Sequence, residues 1–346
     1  MSNDTTIDTI PLAGSAPPTA KPASSRQEHP AVGRLLAVLR RMLPSIFLPL
    51  LGILVTLALW EAVASHIHTS LGVLPGPSAV WEQAGNLWQE HLAEREKAAA
   101  FYARQEKRRA EALAEDPHAE VRIFPYPGKP TFIDQIGTSL LTVMSGFLLA
   151  SLIAIPLGLA IGLSPALYSM LNPVIQVSRP ISPLAWLPIV TLVVSAAYVS
   201  DDPIVSKSYL VSMLCVMLCS VWPTLLNTAV GASGVSSDLI NVSRVLRLGR
   251  LTHVRRIVLP SAVPMIFAGL RTSLGVAWMV LIASEMLAQN PGLGKFVWDE
   301  FQNGSSASLG RIMVAVITIG LIGFLLDRAM LSLQRAVSWD KNAVLR

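Results

Sequence analysis

Residues 238–260 read Asp238-Leu-Ile-Asn-Val-Ser-Arg-Val-Leu-Arg-Leu-Gly-Arg-Leu-Thr-His-Val-Arg-Arg-Ile-Val-Leu-Pro260. Five arginines (Arg244, Arg247, Arg250, Arg255 and Arg256) stand here against one acid, Asp238, and a long apolar run lies on each side. A basic connector between two apolar runs is the pattern of a cytoplasmic loop between membrane spans, because Lys and Arg are retained on the inner side. Ser237 or Asp238 can cap a first short helix. Leu239, Val242 and Leu246 then share one face, with Arg244 and Arg247 elsewhere. Gly249 is a natural C-terminal stop, and a second short helix fits between Thr252 and Pro260. The stretch therefore predicts two amphipathic helices meeting at an elbow, able to lie along the membrane surface and offer a side to a soluble partner.

Working outward, the rest of the chain reads as an all-α integral membrane protein. Charged residues make up 14% of the chain, against about a quarter in soluble domains. They cluster between apolar runs, each near the roughly 20 residues a span needs. Six spans are predicted: 43–64, 137–163, 174–198, 209–230, 262–288 and 311–333, with both termini cytoplasmic. Arg34, Arg40 and Arg41 precede the first span and agree with that orientation. Residues 1–42 read as a basic disordered tail and 336–346 as a cytoplasmic tail. The elbow occupies the connector 231–261 within a core domain of 136–335. The net charge of +5 is membrane orientation, and no aromatic-lined basic groove suggests a nucleic acid.

Residues 65–135 form a polar insert. From Trp81 to Asp116 it lacks proline and is dense in Ala, Glu, Arg, Lys and Gln, which predicts a helix. Its eight Lys and Arg are balanced by ten acids, and the inside rule weakens for loops above about 60 residues, so the insert is assigned to the outer side. In the second span Gly146, Ala150, Ala154, Gly158 and Gly162 make one stripe of small residues, where another backbone can approach. Pro156 should kink this span, and Gly269, Ser273 and Ala277 repeat the small face in the fifth.

The elbow resembles the coupling motif of ABC importer permeases: Glu-Ala-Ala, three residues, Gly, nine residues, Ile-x-Leu-Pro. Ile257, Leu259 and Pro260 match its end. Asn241, Val242 and Ser243 occupy the Glu-Ala-Ala places and Arg247 the Gly place, which are departures; Gly249 follows two residues later. The runs Pro180-Ile-Ser-Pro-Leu-Ala-Trp-Leu-Pro188, Ala283-Ser-Glu-Met and Asn290-Pro-Gly-Leu-Gly294 resemble the nitrate/sulfonate/bicarbonate branch, nitrate-type permeases most. The resemblance implies the permease fold and import of a small anion. It also implies partners besides the lipid bilayer. These are two cytoplasmic ABC ATPase subunits docking on the elbow, a second permease subunit, identical or related, and a periplasmic solute-binding protein.

No G-x-x-x-x-G-K-[ST] phosphate loop occurs in the chain, so ATP hydrolysis falls to a separate chain. No catalytic residue, cofactor or metal is expected. Cys215 and Cys219 read as apolar filler. Arg179 and Arg271, each about two turns into a span, are candidates to line an anion path, with Ser182 and Trp186 beside the first. The bland reading of each arginine is snorkelling or a packing bond. Glu285, near the outer end of the fifth span, would repel an anion and suits packing or gating. Asp327 and Arg328 read as interfacial. Competing functions are a secondary transporter, a membrane enzyme and a scaffold. The first lacks a repeat or paired intramembrane carboxylates; the second lacks an inward-facing His/acid cluster.

Overall fold

The computed structural model describes residues 30–337 apart from 70–71, 117–121, 200–204 and 306, and only the helical backbone for 30–46. The reading of residues 1–29 as a disordered tail lies outside these. The first helix, α1 (Pro30–Ala64), starts upstream of the expected Leu43, because Ala, Leu, Arg and Met carry helix propensity back to Pro30. Its apolar window is Phe47–Ala64. The chain divides into two compact units, one up to Ala58 and one from Leu59 onward. The second unit holds the end of α1 and every element after it.

A short antiparallel pair, β1 (His68–Thr69) and β2 (Gly72–Val73), leads into α2 (Pro77–Glu115). The spanning helices come next: α3 (Phe132–Leu163), the pair α4 (Pro165–Ser178) and α5 (Pro183–Ala197), and α6 (Lys207–Ser233). Then come α7 (Ser237–Val245), α8 (Arg250–His253), a π-turn at Val254–Val258, α9 (Leu259–Ala288), α10 (Leu293–Asn303) and α11 (Ser308–Val337). Among the described residues, five helices are long and apolar enough to cross a membrane, and α4 with α5 makes a sixth as a broken span.

The third span is therefore not the single helix expected over 174–198. Its halves meet at 100° across residues 179–182. Proline disfavours helix in the residue before it and removes an N–H, and Pro180 and Pro183 together stop α4 and restart α5. The pair still carries the chain across. Along α3, Gly146, Gly158 and Gly162 face Met213, Leu225 and Ala229 of α6 in turn, so the two helices run parallel. Something must bring the chain back between them.

The small-residue stripe does what its spacing suggests. A methyl group added at Gly158 would sit 2.6 Å from the Leu225 carbonyl oxygen, and one at Gly146 2.8 Å from that of Met213. Gly269 of α9 likewise faces Pro223 and Thr224 of α6. Just beyond it Ser273 bonds to α6 beside Pro223. Thr224 N donates to Ser273 Oγ at 3.0 Å, and Ser273 Oγ donates to the Ser220 carbonyl at 2.6 Å. The hydroxyl thus bridges the Thr224 N–H and the Ser220 carbonyl next to Pro223, giving buried backbone groups a polar partner where there is no water to turn to.

The bundle has two distinct ends. At one lie the starts of α3, α6 and α11, the end of α9, and α10. Here Phe132 packs on Phe296, with ring centroids 4.8 Å apart. At the other end lie the elbow and the finish of α3 and α6. The insert is helical as expected, as α2, but its first half is built into the bundle. Val80 and Leu87 are buried. Glu90 holds Arg311 through two bonds of 2.6 and 3.0 Å, His91 meets Thr131 at 2.6 Å, and Arg95 pairs with Asp134. The second half is strapped by residues 122–130: Gln105 exchanges two bonds of 2.8 Å with the Phe124 backbone. Tyr126 donates to Glu94 Oε1 at 2.8 Å, which holds the Glu94 carboxyl below its ordinary value.

Candidate functional site

The elbow begins with α7, whose N-cap is Ser236 with no side-chain cap bond, not Ser237 or Asp238. Its C-terminus is not set by Gly249. Arg247 takes the left-handed conformation, φ +48. Leu248 N donates to the Ser243 carbonyl and Arg247 N to that of Arg244, each at 3.1 Å. This is the Schellman closure, with Arg247 at the position where glycine is usual. Gly249 instead precedes α8 in an extended conformation, φ −64. The departure at 247 is thus one of residue type alone; the backbone does what a glycine would do there.

The second short helix does not stop before Pro260. It runs through the π-turn directly into α9. A widened turn is how a helix accommodates the missing N–H and the ring of a proline. The elbow is thereby joined rigidly to a span. One hydrogen bond ties its two arms: Ser243 Oγ and His253 Nδ1 lie 2.8 Å apart, and Ser243 is buried.

The outer face of the elbow is apolar with a basic rim. Val242, Val245, Leu246 and Leu251 are exposed, Val245 at 82% and Leu251 at 81%. Asn241, Arg244, Arg247 and Arg250 are exposed among them. An apolar patch set in polar residues is the usual sign of a protein–protein site, here one suited to an acidic groove.

The intramembrane candidates do not converge on one point. Arg179 caps α4 at the bend, exposed, with its N–H bonded to the Ile175 carbonyl at 3.0 Å. It stands at a helix break and not two turns inside a continuous span. Ser182 starts α5, its Oγ accepting from Leu184 N at 3.3 Å, and Trp186 is half-buried one turn on. Arg271 is already neutralised: Nε and Nη2 donate to Asp327 Oδ1 and Oδ2 at 2.5 and 2.8 Å. Asp327 is accordingly a partner in a bidentate pair between α9 and α11. Arg328 lies over the Phe324 ring, 4.9 Å from its centroid.

Glu285 is fully buried about 21 Å along α9 from Arg271, at 1.5 Å per residue. Its carboxylate accepts from Ser139 Oγ at 2.9 Å and from Gly294 N at 3.0 Å. Ser139 Oγ in turn accepts from Leu293 N at 2.8 Å. Glu285 thereby pins the 290–294 turn, and with it α10, to α3. Ser139 was not singled out from sequence, and Ser273 only as a small residue on one face of the fifth span; serines in apolar runs carry no mark of the backbone groups they meet. Nor was Lys207, which stands with Ser208, Thr191, Ser195, Leu187 and Pro188 around a groove of about 600 Å³ between α5, α6 and α9.

A family model described as the binding-protein-dependent transport system inner membrane component matches residues 146–339. The nitrate import permease protein NrtB of Leptolyngbya laminosa is 38% identical over 193 residues, 56% of this chain and 64% of that protein. The chain thus matches slightly less than two thirds of that relative's length. The bicarbonate transport system permease protein CmpB of Synechococcus elongatus is 33% identical over 302 residues, 86% of this chain and 91% of that one. Among solved structures, the inward-facing MetNI methionine ABC transporter shares the fold with a TM-score of 0.51 at 14% identity. That match covers 60% of this chain and 95% of that one.

Proposed function

Since the chain belongs to the family of binding-protein-dependent transport system inner membrane components, we propose that it is the translocation subunit of an ATP-driven importer of nitrate. The chain is a multi-pass inner-membrane transport protein. In this reading the arginine-rimmed elbow faces the cytoplasm and docks on an ABC ATPase subunit. Two such subunits serve two permease chains, and a periplasmic binding protein delivers the solute to the opposite end.

The observation that carries the proposal is the continuity of the elbow with α9. A force on Val245 or Leu251 is passed through the Ser243–His253 bond and the unbroken helix into the bundle. A two-state element biased from outside is what a pump requires. Importing an anion against an inside-negative potential costs about 2.3 kcal/mol per charge per 100 mV, so an external energy source fits the task. Arg179, Ser182 and Trp186 at the bend are proposed path residues, with Lys207 at the other end of the crossing. Arg271 serves packing in this reading, because Asp327 already holds its charge.

Nitrate is put first on the names of the relatives; bicarbonate is the second reading, because the CmpB relative aligns over more of its length. The test is ATPase activity of the assembled complex with its loaded binding protein. Nitrate should stimulate hydrolysis and bicarbonate should not. Stimulation by bicarbonate alone overturns the solute assignment. The paired change Arg244→Glu and Arg250→Glu should abolish co-purification of the ATPase while the chain still reaches the membrane. Undiminished co-purification would remove the elbow from the docking site.

A further inference from the structure

The first half of α2 carries an apolar flank that the transport function does not use. Trp81, Trp88 and Leu92 are exposed at 82%, 54% and 52%. Their spacing of seven and four residues puts them within about 40° of one line on the helix. We propose that this flank is a membrane-surface anchor, with Trp81, Trp88 and Leu92 seated among the lipid headgroups and upper acyl chains at the α10 end of the bundle.

The course of α2 sets its depth. Gln83 packs on Gly310, Glu90 bonds Arg311, His91 bonds Thr131 and Arg95 pairs with Asp134. Every one of these partners lies in or just before the first turn of α11 or α3. A helix running alongside the spans would meet residues progressively deeper in them. Over the stretch 83–95, about 18 Å at 1.5 Å per residue, these four contacts stay at their ends. It therefore lies across the spans, at the level where they leave the hydrocarbon.

The rotation of α2 sets which flank faces outward. Glu90, Ala93, Glu94 and Lys97 line a polar crevice of about 830 Å³ shared with α10 and Arg311. The mean direction of those four residues is about 170° around the helix from that of Trp81, Trp88 and Leu92. The tryptophans thus point away from the crevice, toward the outside of the bundle. Exposed apolar side chains of the spans, such as Leu141 and Leu148 of α3 and Val316 and Leu321 of α11, form the surface that meets acyl chains. The α2 flank continues that surface at the boundary depth, where Trp is enriched because its ring is apolar and its N–H is polar. A bilayer is the occupant that this continuity and this residue chemistry fit. The inference needs only a membrane location and is independent of the solute.

The test measures depth in nanodiscs of phosphatidylcholine and phosphatidylglycerol. A spin label is attached at Leu92→Cys, with both tryptophans kept, and at Ala93→Cys on the crevice flank. The background is Cys215→Ala/Cys219→Ala, accepted if it elutes as the wild type does. The Leu92 label should collide with oxygen more than with a water-soluble nickel chelate, and the Ala93 label should show the reverse. A cysteine-free background is not needed for the second measurement. The emission difference between wild type and Trp81→Phe/Trp88→Phe should lose most of its intensity when the lipids carry brominated chains. A Leu92 label as open to the chelate as Ala93 would overturn the proposal. So would a label shielded from both reagents, which would mean that protein covers the flank, or a difference emission that bromine leaves intact.

Discussion

Replacing Arg247 with glycine separates the shape of the elbow from its charge. Arg247 holds φ +48, a conformation that costs an L-residue about 1–2 kcal/mol and glycine almost nothing. The Schellman pair of 3.1 Å bonds from Arg247 N and Leu248 N depends on that conformation. Arg247→Gly should therefore strengthen the turn by about 1 kcal/mol, roughly a fivefold shift in the local opening equilibrium. Arg247→Ala keeps the strain and loses the charge, and Arg247→Val adds a β-branch that resists positive φ. Hydrogen exchange at the Leu248 amide in the purified chain should rank glycine slowest and valine fastest, with arginine and alanine between. Affinity for the ATPase should fall alike in glycine and alanine, because both lack the guanidinium. A Leu248 amide that exchanges faster in Arg247→Gly than in Arg247→Ala would refute the strain argument.

The same geometry sets three further outcomes. Ser273→Ala removes the buried hydroxyl that accepts from the Thr224 N–H and donates to the Ser220 carbonyl beside Pro223. The cost should be about 1–3 kcal/mol in total, read as a lower denaturation midpoint in detergent, whereas Ser273→Thr should recover most of it. Arg179→Ala should lower nitrate uptake with the assembly intact, while Asp327→Asn, which leaves Arg271 without its counter-charge, should lower the yield of folded protein; uptake assays and gel filtration separate the two. The Glu94 carboxyl is held below its ordinary value chiefly by the Tyr126 hydroxyl. Its contribution is present above the unfolded carboxylate pKa and is lost as pH falls through the depressed folded one. Acidification below about pH 4.5, the ordinary carboxylate value, should speed hydrogen exchange in the 122–130 strap, and Tyr126→Phe should remove that pH dependence.

The spans were legible because hydropathy and length are properties of the chain alone. Their lateral packing was legible where it depends on size, as with Gly146 and Gly158 against α6. The bend at 179–182 was written in Pro180 and Pro183, yet a hydropathy window averages over direction and reads one continuous span. The end of α7 was misassigned to Gly249 because residue type normally reports positive φ, and here an arginine takes it. Only the nine-residue spacing back from Ile257 pointed to position 247. The Arg271–Asp327 pair joins residues 56 apart, and nothing local to either announces the other. The same holds for Ser139 with Glu285, 146 apart. Such contacts arise from how the spans pack on one another, which single-sequence periodicity does not contain.

In the proposed function the elbow converts nucleotide hydrolysis by another chain into movement of solute. The direct measurement is nitrate accumulation in proteoliposomes, with the chain alone and with its ATPase, ATP and binding protein. Accumulation should require all of these and should vanish with Arg244→Glu/Arg250→Glu; concentration of nitrate by the chain alone, driven by an ion gradient, would contradict it.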